Sequence, residues 1–145
     1  MTQEDKDLLL KDLCARLPYG VMISHRGLVR PLFSVSPTQH FQITLDNAID
    51  GEHNGLVYVS LDNVADDVKP YLRPMSSMTE EEKVQLSQYA CIGEDLNGEF
   101  IDEIQRKDCA AYIDWLNKKH FDYRGLILKG LAMEAPEGMY NLKTK

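Results

Sequence analysis

The sequence contains too little cysteine for a disulfide framework. Its three cysteines, Cys14, Cys91 and Cys109, are spread over 145 residues, whereas disulfide-rich domains carry an even number at short spacings. A chain of this length buries roughly 68–70% of its unfolded surface, so it needs neither disulfide nor metal in order to fold. We therefore expect one domain over residues 1–145, with its own hydrophobic core.

Long apolar segments and positive charge are also scarce. No apolar run approaches the roughly 20 residues of a transmembrane helix, and the start, MTQEDKDLLLKDL, lacks the basic region and apolar core of a signal peptide. The chain has 16 Lys and Arg against 23 Asp and Glu, a net charge of −7. These features predict a cytoplasmic protein without membrane association, and the charge argues against a general affinity for nucleic acid.

Motifs for nucleotides and metals are incomplete. Gly125 and Gly130 have P-loop spacing, but Leu131 and Ala132 follow where Lys and Ser or Thr must reach phosphate and Mg²⁺. The segment 95–98 matches only the middle of an EF-hand loop, without its first ligand and its bidentate glutamate. The histidines and cysteines are too scattered for a tetrahedral zinc site. The sequence therefore predicts no cofactor and no metal.

The first two-fifths of the chain predicts a helix followed by a sheet, in an α+β fold. A helix is expected over residues 2–17, where Thr2 and Asp5 suit a capping box. Its apolar face is expected at Leu10, Leu13, Cys14 and Leu17, with Asp12 in solvent. From residue 21 to 61 the hydrophobic period changes to two, which predicts a small antiparallel meander of four strands, curled or barrel-like.

Turn and proline signals refine the predicted sheet. Arg26 and Gly27 predict a tight turn between the first two strands, and Pro31 predicts that the second strand is an edge strand or is bulged. The polar segment 46–55 is expected to be a hairpin loop.

The remaining chain, from about residue 79 to 140, is expected to be a helical half. Thr79 and Glu82 match the capping box T-x-x-E for a helix to about Cys91, and Asp108 is expected to cap a third helix. Short helical turns are expected at 66–72 and 126–131. The predicted core draws on both halves and comprises Leu13, Leu17, Val21, Ile23, Phe41, Ile43, Val57, Val59, Leu86, Tyr112, Ile113, Leu116, Phe121 and Leu126.

A compact polar group at the end of the third predicted helix is the candidate site. It comprises Lys118, Lys119, His120, Asp122, Tyr123 and Arg124. In a structural interpretation, His120 stabilises the helix C-terminus, Asp122 and Arg124 pair with each other or with backbone, and Tyr123 anchors the chain. In a binding interpretation, the same side chains form a partner surface. In a catalytic interpretation, His120 and Asp122 do acid–base chemistry in a hydrolase or transferase.

The C-terminal part of the chain also suggests weak nucleic-acid binding. Residues 104–145 carry eight Lys and Arg against five acids, a net charge of +3. Trp115 and Tyr123 would then serve as stacking platforms beside Lys118, Lys119 and Arg124. The overall charge of −7 argues against this alternative.

Three segments carry a resemblance to a known group of proteins. They are TQEDKDLLLKDLCARLPYGV at 2–21, PYLRPMSSMTEEE at 70–82, and DWLNKKHFDYRGLI with EAPEGMY at 114–127 and 134–140. In these segments the chain resembles a group of small uncharacterised proteins of gut Bacteroidales and their prophages and mobile elements. The resemblance implies a bacterial, mobile-element context in the cytoplasm, and it implies no activity and no site residue.

The expected function follows from the lack of a complete set of catalytic residues in the sequence. No complete catalytic set accompanies the well-formed predicted core. We therefore expect a non-enzymatic binding or accessory module with a protein partner, and no residue is assigned a catalytic role. Weak nucleic-acid binding and a small hydrolase or transferase are the alternatives.

Overall fold

The computed structural model describes residues 2–36, 42–49, 52–61, 68–88 and 102–140. Within these ranges lie the helices α1 Gln3–Arg16, α2 Glu80–Gln88 and α3 Asp102–Lys118, and the strands β1 Met22–His25, β2 Leu28–Ser36, β3 Gln42–Ile49, β4 Glu52–Ser60, β5 Val68–Leu72 and β6 Met133–Glu134. The predicted α+β class is confirmed. Phe41, Cys91 and the segment 95–98 lie outside the described residues.

The described strands form one sheet in the order β4-β3-β2-β1-β5-β6. Strands β1 to β4 pair antiparallel with their chain neighbours, so the predicted meander is confirmed. The barrel-like alternative is wrong, because β4 and β6 stand at opposite edges and the sheet is not closed. Strand β5 extends the meander antiparallel to β1, and β6 then pairs parallel with β5.

Strand β5 replaces a predicted turn of helix. Its burial alternates strictly, with Val68, Pro70 and Leu72 facing the interior. Alternation with period two buries one face of a strand, and a single turn of helix would not bury these three positions together. The expectation of a helical turn at 66–72 was therefore wrong for the described residues 68–72.

The β1–β2 hairpin follows its turn signal. Arg26 and Gly27 both have positive φ, 50° and 79°, as a two-residue type I′ turn requires. Pro31 lies in an interior strand, and the register of β2 against β3 shifts between Leu32 and Ser34. The amide of Leu32 donates to Val21 in the direction of β1, so the nitrogen of Pro31 faces β3, next to this bulge. The bulged alternative is confirmed, and the edge alternative is wrong.

The segment predicted as a polar hairpin loop is mostly strand. Strands β3 and β4 continue to Ile49 and Glu52, so most of 46–55 belongs to the ladder. The register shifts between Asp46 and Ala48, and Gly55 on the facing strand has a φ of 91°. A bulge of this kind absorbs an extra residue at a position that glycine tolerates.

Helix α1 begins as predicted but buries a different face. Thr2 and Asp5 form a complete capping box. The buried positions are Leu9, Asp12, Leu13 and Arg16, whereas Cys14 is exposed. The predictions that Cys14 lies on the buried face and Asp12 in solvent were wrong. The helix is rotated so that an i, i+4 ion pair shares the interior with two leucines.

The described part of the C-terminal half confirms one predicted helix start and corrects two other predictions. Helix α2 begins after Thr79, whose capping box with Glu82 is confirmed by hydrogen bonds of 3.0 and 3.1 Å. Helix α3 begins at Asp102, so Asp108 lies inside the helix and the predicted start at Asp108 is wrong. Residues 126–130 form hydrogen-bonded turns, not the predicted short helix.

Two apolar clusters hold these elements together. The larger joins α1 to the sheet and to Leu126, Leu131 and Ala132. The smaller joins α2 to α3 around Trp115, Leu116 and Phe121. The described predicted core residues are all buried or half-buried in these clusters. No described helix has the length and apolar character that crossing a membrane requires.

Candidate functional site

A cleft of about 1680 Å³ opens between three separate parts of the chain. Helix α2 and the residues before it form one wall, the end of α3 forms another, and residues 134–140 form the third. Lys118, Lys119 and Trp115 contribute from α3, and Tyr140 contributes from the last segment. The end of α3, where the sequence placed its candidate site, therefore borders this cleft.

One wall is fixed by a buried ion pair. Arg73 donates to both carboxylate oxygens of Glu82 at 2.8 and 2.7 Å, and both side chains are less than a tenth exposed. The guanidinium also lies 4.2 Å from the centroid of the Phe121 ring. Burial alone would raise the pKa of Glu82, but hydrogen bonds from Arg73 and Thr79 outweigh it and lower the pKa to about 2. The capping glutamate of α2 is thus also the anchor that joins this helix to the end of β5.

Helix α3 ends in a Schellman motif at His120. The amide of His120 donates to Asn117 and the amide of Phe121 donates to Leu116, both at 3.0 Å, which is the paired pattern of this motif. His120 occupies its left-handed position with a φ of 64°, where glycine is usual. A histidine at a position that strains most side chains indicates that its ring makes compensating contacts.

Those contacts enclose the ring of His120. It stacks on Tyr140 with 3.8 Å between ring centroids, and the residue is 5% exposed. Burial, together with the nearby charges of Arg16 and Arg73, lowers the pKa of His120 to about 4. The imidazole is therefore neutral at pH 7, and it lies behind the cleft wall that Tyr140 forms.

Tyr140 holds the last described segment against the sheet. Its hydroxyl accepts from the amide of Met22 at 2.9 Å and donates to the carbonyl of Tyr71 at 2.7 Å. Burial raises the pKa of Tyr140 to about 12. One side chain thus connects β1, β5 and the cleft wall.

Asp122 is a backbone cap. Its two carboxylate oxygens accept from the amides of Leu126 and Ile127 at 2.7 and 3.0 Å. The side chain is buried, at 9% exposure. With both oxygens engaged and His120 facing Tyr140, the pair is not arranged as a base and its orienting carboxylate.

Tyr123 and Arg124 belong to a buried polar network with α1. Arg16, which is 0% exposed, donates to Asp12 at 2.8 Å and to the carbonyl of Phe121 at 2.6 Å. Arg124 lies 3.3 Å from the other oxygen of Asp12 and donates to the Tyr123 hydroxyl. Both guanidinium groups also lie over the Tyr123 ring. This network closes the interior between α1 and the residues after α3.

The structure divides the six predicted site residues into two sets. Lys118 and Lys119 line the cleft. The other four, His120, Asp122, Tyr123 and Arg124, make the internal contacts described above. Trp115 is 7% exposed and stacks on Phe121 at 5.7 Å, so its face is not open to a nucleobase.

Sequence reasoning missed most of the cleft. Arg73, Glu134 and Tyr140 were not singled out, because their roles depend on the pairing of β5 with segments 120–122 and 133–135. A usable signal existed for α1: Leu9, Asp12, Leu13 and Arg16 follow the i, i+3, i+4, i+7 spacing of one helix face.

The charge of the cleft is negative. Its lining holds five glutamates, Glu80, Glu81, Glu82, Glu134 and Glu137, and three basic residues, Arg73, Lys118 and Lys119. The pair of Arg73 and Glu82 is internally neutralised. Glu80 is paired with Lys83 at 3.1 Å. Three further glutamates therefore face two lysines, which does not favour the phosphate backbone of a nucleic acid.

No protein-family model, curated protein or solved structure matches this chain.

Proposed function

We propose that this chain is a non-enzymatic binding module that takes a segment of a partner protein in the cleft between α2, the end of α3 and residues 134–140. The volume of the cleft supports this proposal most directly. At about 1680 Å³ it exceeds the roughly 300–1,000 Å³ of small-molecule pockets. A chain segment fills such a space better than a metabolite does.

The chemistry of the walls supports binding over catalysis. The titratable groups expected to do acid–base work, His120 and Asp122, are 5% and 9% exposed and have internal partners. Only Lys118 and Lys119 of the predicted site face the cleft. Among the described residues, no three His, Cys, Asp or Glu side chains are grouped to hold a metal ion.

The cellular setting of the proposal comes from the sequence alone. On the resemblance to proteins of Bacteroidales prophages and mobile elements, we propose an accessory role in the cytoplasm of a bacterium. The partner is then a protein of the host cell or of the element.

Site-specific crosslinking tests the proposed binding site. A photoreactive phenylalanine analogue is placed at Gln85, which lines the cleft, or at Lys11, which is exposed on α1. After irradiation in a bacterial lysate, we expect Gln85 adducts that map by mass spectrometry to one segment of one protein, with none from Lys11. Adducts that are equal at both positions, or that contain nucleic acid, would contradict the proposal. Turnover in a broad substrate screen would replace it with an enzymatic function.

A further inference from the structure

No described residue pairs with the outer edge of strand β6, whose residues border the cleft. The amide of Ala135 donates to the carbonyl of Leu72 at 2.8 Å, and Leu72 is the register partner of Glu134. In a parallel ladder, the backbone N–H and C=O groups of successive residues in one strand point alternately toward and away from the neighbouring strand. The amide and carbonyl of Glu134 therefore point away from β5, on the outer side of β6.

This edge lies at the cleft. Met133 and Glu134 are both exposed, and Glu134 and Ala135 line the cavity. An exposed strand edge with free donors and acceptors is a template for pairing with an extended chain. The sheet order places β6 at the end of the sheet, where no described strand covers it.

The side chains around the edge indicate which extended chain fits. With Glu80 paired to Lys83, Glu81, Glu134 and Glu137 still outnumber Lys118 and Lys119 along the cleft, which favours a cationic occupant. Pro74, Ala135 and Pro136 add apolar surface between these charges. In an added strand, alternate side chains point to opposite faces, so lysine or arginine in alternation with apolar residues matches this surface.

From these observations we infer that the cleft binds a cationic, extended protein segment, which adds as a strand to the outer edge of β6 and pairs with the backbone of Glu134. This inference depends on the proposed function and specifies its ligand. The paired edge is short, because β6 has two residues. Affinity therefore requires the glutamates as well as the backbone hydrogen bonds.

Two substitutions of Glu134 separate the contribution of its backbone amide to binding from that of its carboxylate. Glu134→Ala removes the carboxylate and keeps the outward amide, whereas Glu134→Pro also removes that amide. Proline is compatible with an edge strand when its nitrogen faces outward. The probe is a capped seven-residue peptide of alternating lysine and valine. We expect its Kd to rise a few-fold for Glu134→Ala, and roughly ten-fold further for Glu134→Pro, the worth of one hydrogen bond.

Peptide variants give a second measurement that does not depend on a folded mutant. The same peptide is N-methylated at its lysine amides or at its valine amides, which leaves its charge unchanged. Strand addition requires that one methylated set loses binding while the other keeps it, and that hydrogen exchange at the Glu134 amide slows in the complex. Equal binding of both sets with an unprotected Glu134 amide overturns strand addition.

The same titration also tests other classes of ligand for the cleft. Tighter binding of a glutamate–valine peptide, or of single-stranded oligonucleotide, overturns the cationic class. Absence of binding by the lysine–valine peptide at millimolar concentration overturns the inference as a whole. The proposed function is decided separately by crosslinking from Gln85, so the two failures are distinguishable.

Discussion

The ring of His120 stacks on the ring of Tyr140, with 3.8 Å between centroids and 17° between planes. His120 is the left-handed residue at which helix α3 ends, and the hydroxyl of Tyr140 is hydrogen-bonded to the backbone of β1 and β5. This one contact therefore joins the smaller helical cluster to the sheet. The stacked rings also lie directly behind the wall of the cleft, so the protonation state of His120 affects the shape of the cleft.

Protonation of His120 is expected to destabilise the fold. Its pKa is 6.5 in an unfolded chain and about 4 here. As pH falls below 6.5 the unfolded chain binds a proton that the folded chain does not. The associated stability is complete above pH 6.5 and is lost progressively down to pH 4, by at most roughly 3 kcal/mol. Urea unfolding at pH 7.5, 6.5, 5.5 and 4.5 measures this loss.

The matched control is His120→Asn, since asparagine adopts positive φ and does not titrate. The difference in unfolding free energy between wild type and this variant isolates His120 from the other histidines. We expect the difference to shrink as pH falls from 6.5 to 4.5. A constant difference would show that the buried ring does not carry the pH dependence.

Glu82→Gln is expected to destabilise the protein by about 1.5–3 kcal/mol, because it weakens two charge-assisted hydrogen bonds in a buried site. The matched variant Glu81→Gln, one residue earlier on the exposed face of α2, should change stability by less than about 0.5 kcal/mol. The pKa of Glu82 is lowered from 4.5 to about 2. Its contribution is thus present above pH 4.5 and lost as pH falls toward 2. Denaturant midpoints for the three proteins at pH 7 and pH 3 check both statements.

The buried pair of Asp12 and Arg16 is expected to be strongly coupled. Asp12→Leu leaves Arg16 without its carboxylate at a position of 0% exposure, and Arg16→Met leaves Asp12 with Arg124 as its remaining cation. Breaking a buried pair in this way costs roughly 3–5 kcal/mol. The double variant should cost less than the sum of the singles, with a coupling of about 0.5–3 kcal/mol. A double-mutant cycle in urea measures it. Strict additivity would mean that the two side chains do not stabilise one another.

Asp122→Ala is expected to loosen the turn at 126–130. It removes the acceptor of two amides, Leu126 and Ile127, at a cost of about 1–3 kcal/mol. Asp122→Asn retains one carbonyl oxygen and should cost less. Hydrogen exchange is the direct measurement, since these two amides should exchange faster in the alanine variant while the amides of α1 do not change. Unchanged exchange at both amides would contradict the capping role.

Local patterns predicted the elements whose causes are local. The capping boxes of Thr2 with Asp5 and Thr79 with Glu82 each span three residues, and both form. The four-strand meander follows from the alternation of apolar residues and from the turn at Arg26–Gly27. These features depend on neighbours in the sequence, so one sequence suffices to predict them.

The remaining features depend on residues far apart in the chain. Strand β5 is stabilised by pairing with β1 on one side and β6 on the other. Pro70 and Pro74 hid this strand in the sequence, because proline is unfavourable inside a strand. Asp12 was expected in solvent, yet it is buried beside Arg16 and Arg124, and Arg16 donates to the carbonyl of Phe121. Most of the candidate site was missed for the same reason, since its walls converge only after these long-range pairings form.

The hydrogen bond from Arg16 to the carbonyl of Phe121 spans 105 residues, which has a consequence for biosynthesis. On a translating ribosome, helix α1 leaves the exit tunnel long before Phe121 is made. Until then the guanidinium of Arg16 lacks this acceptor, so the packing of α1 against the sheet is incomplete. The chain therefore completes its native interior only late in its own synthesis.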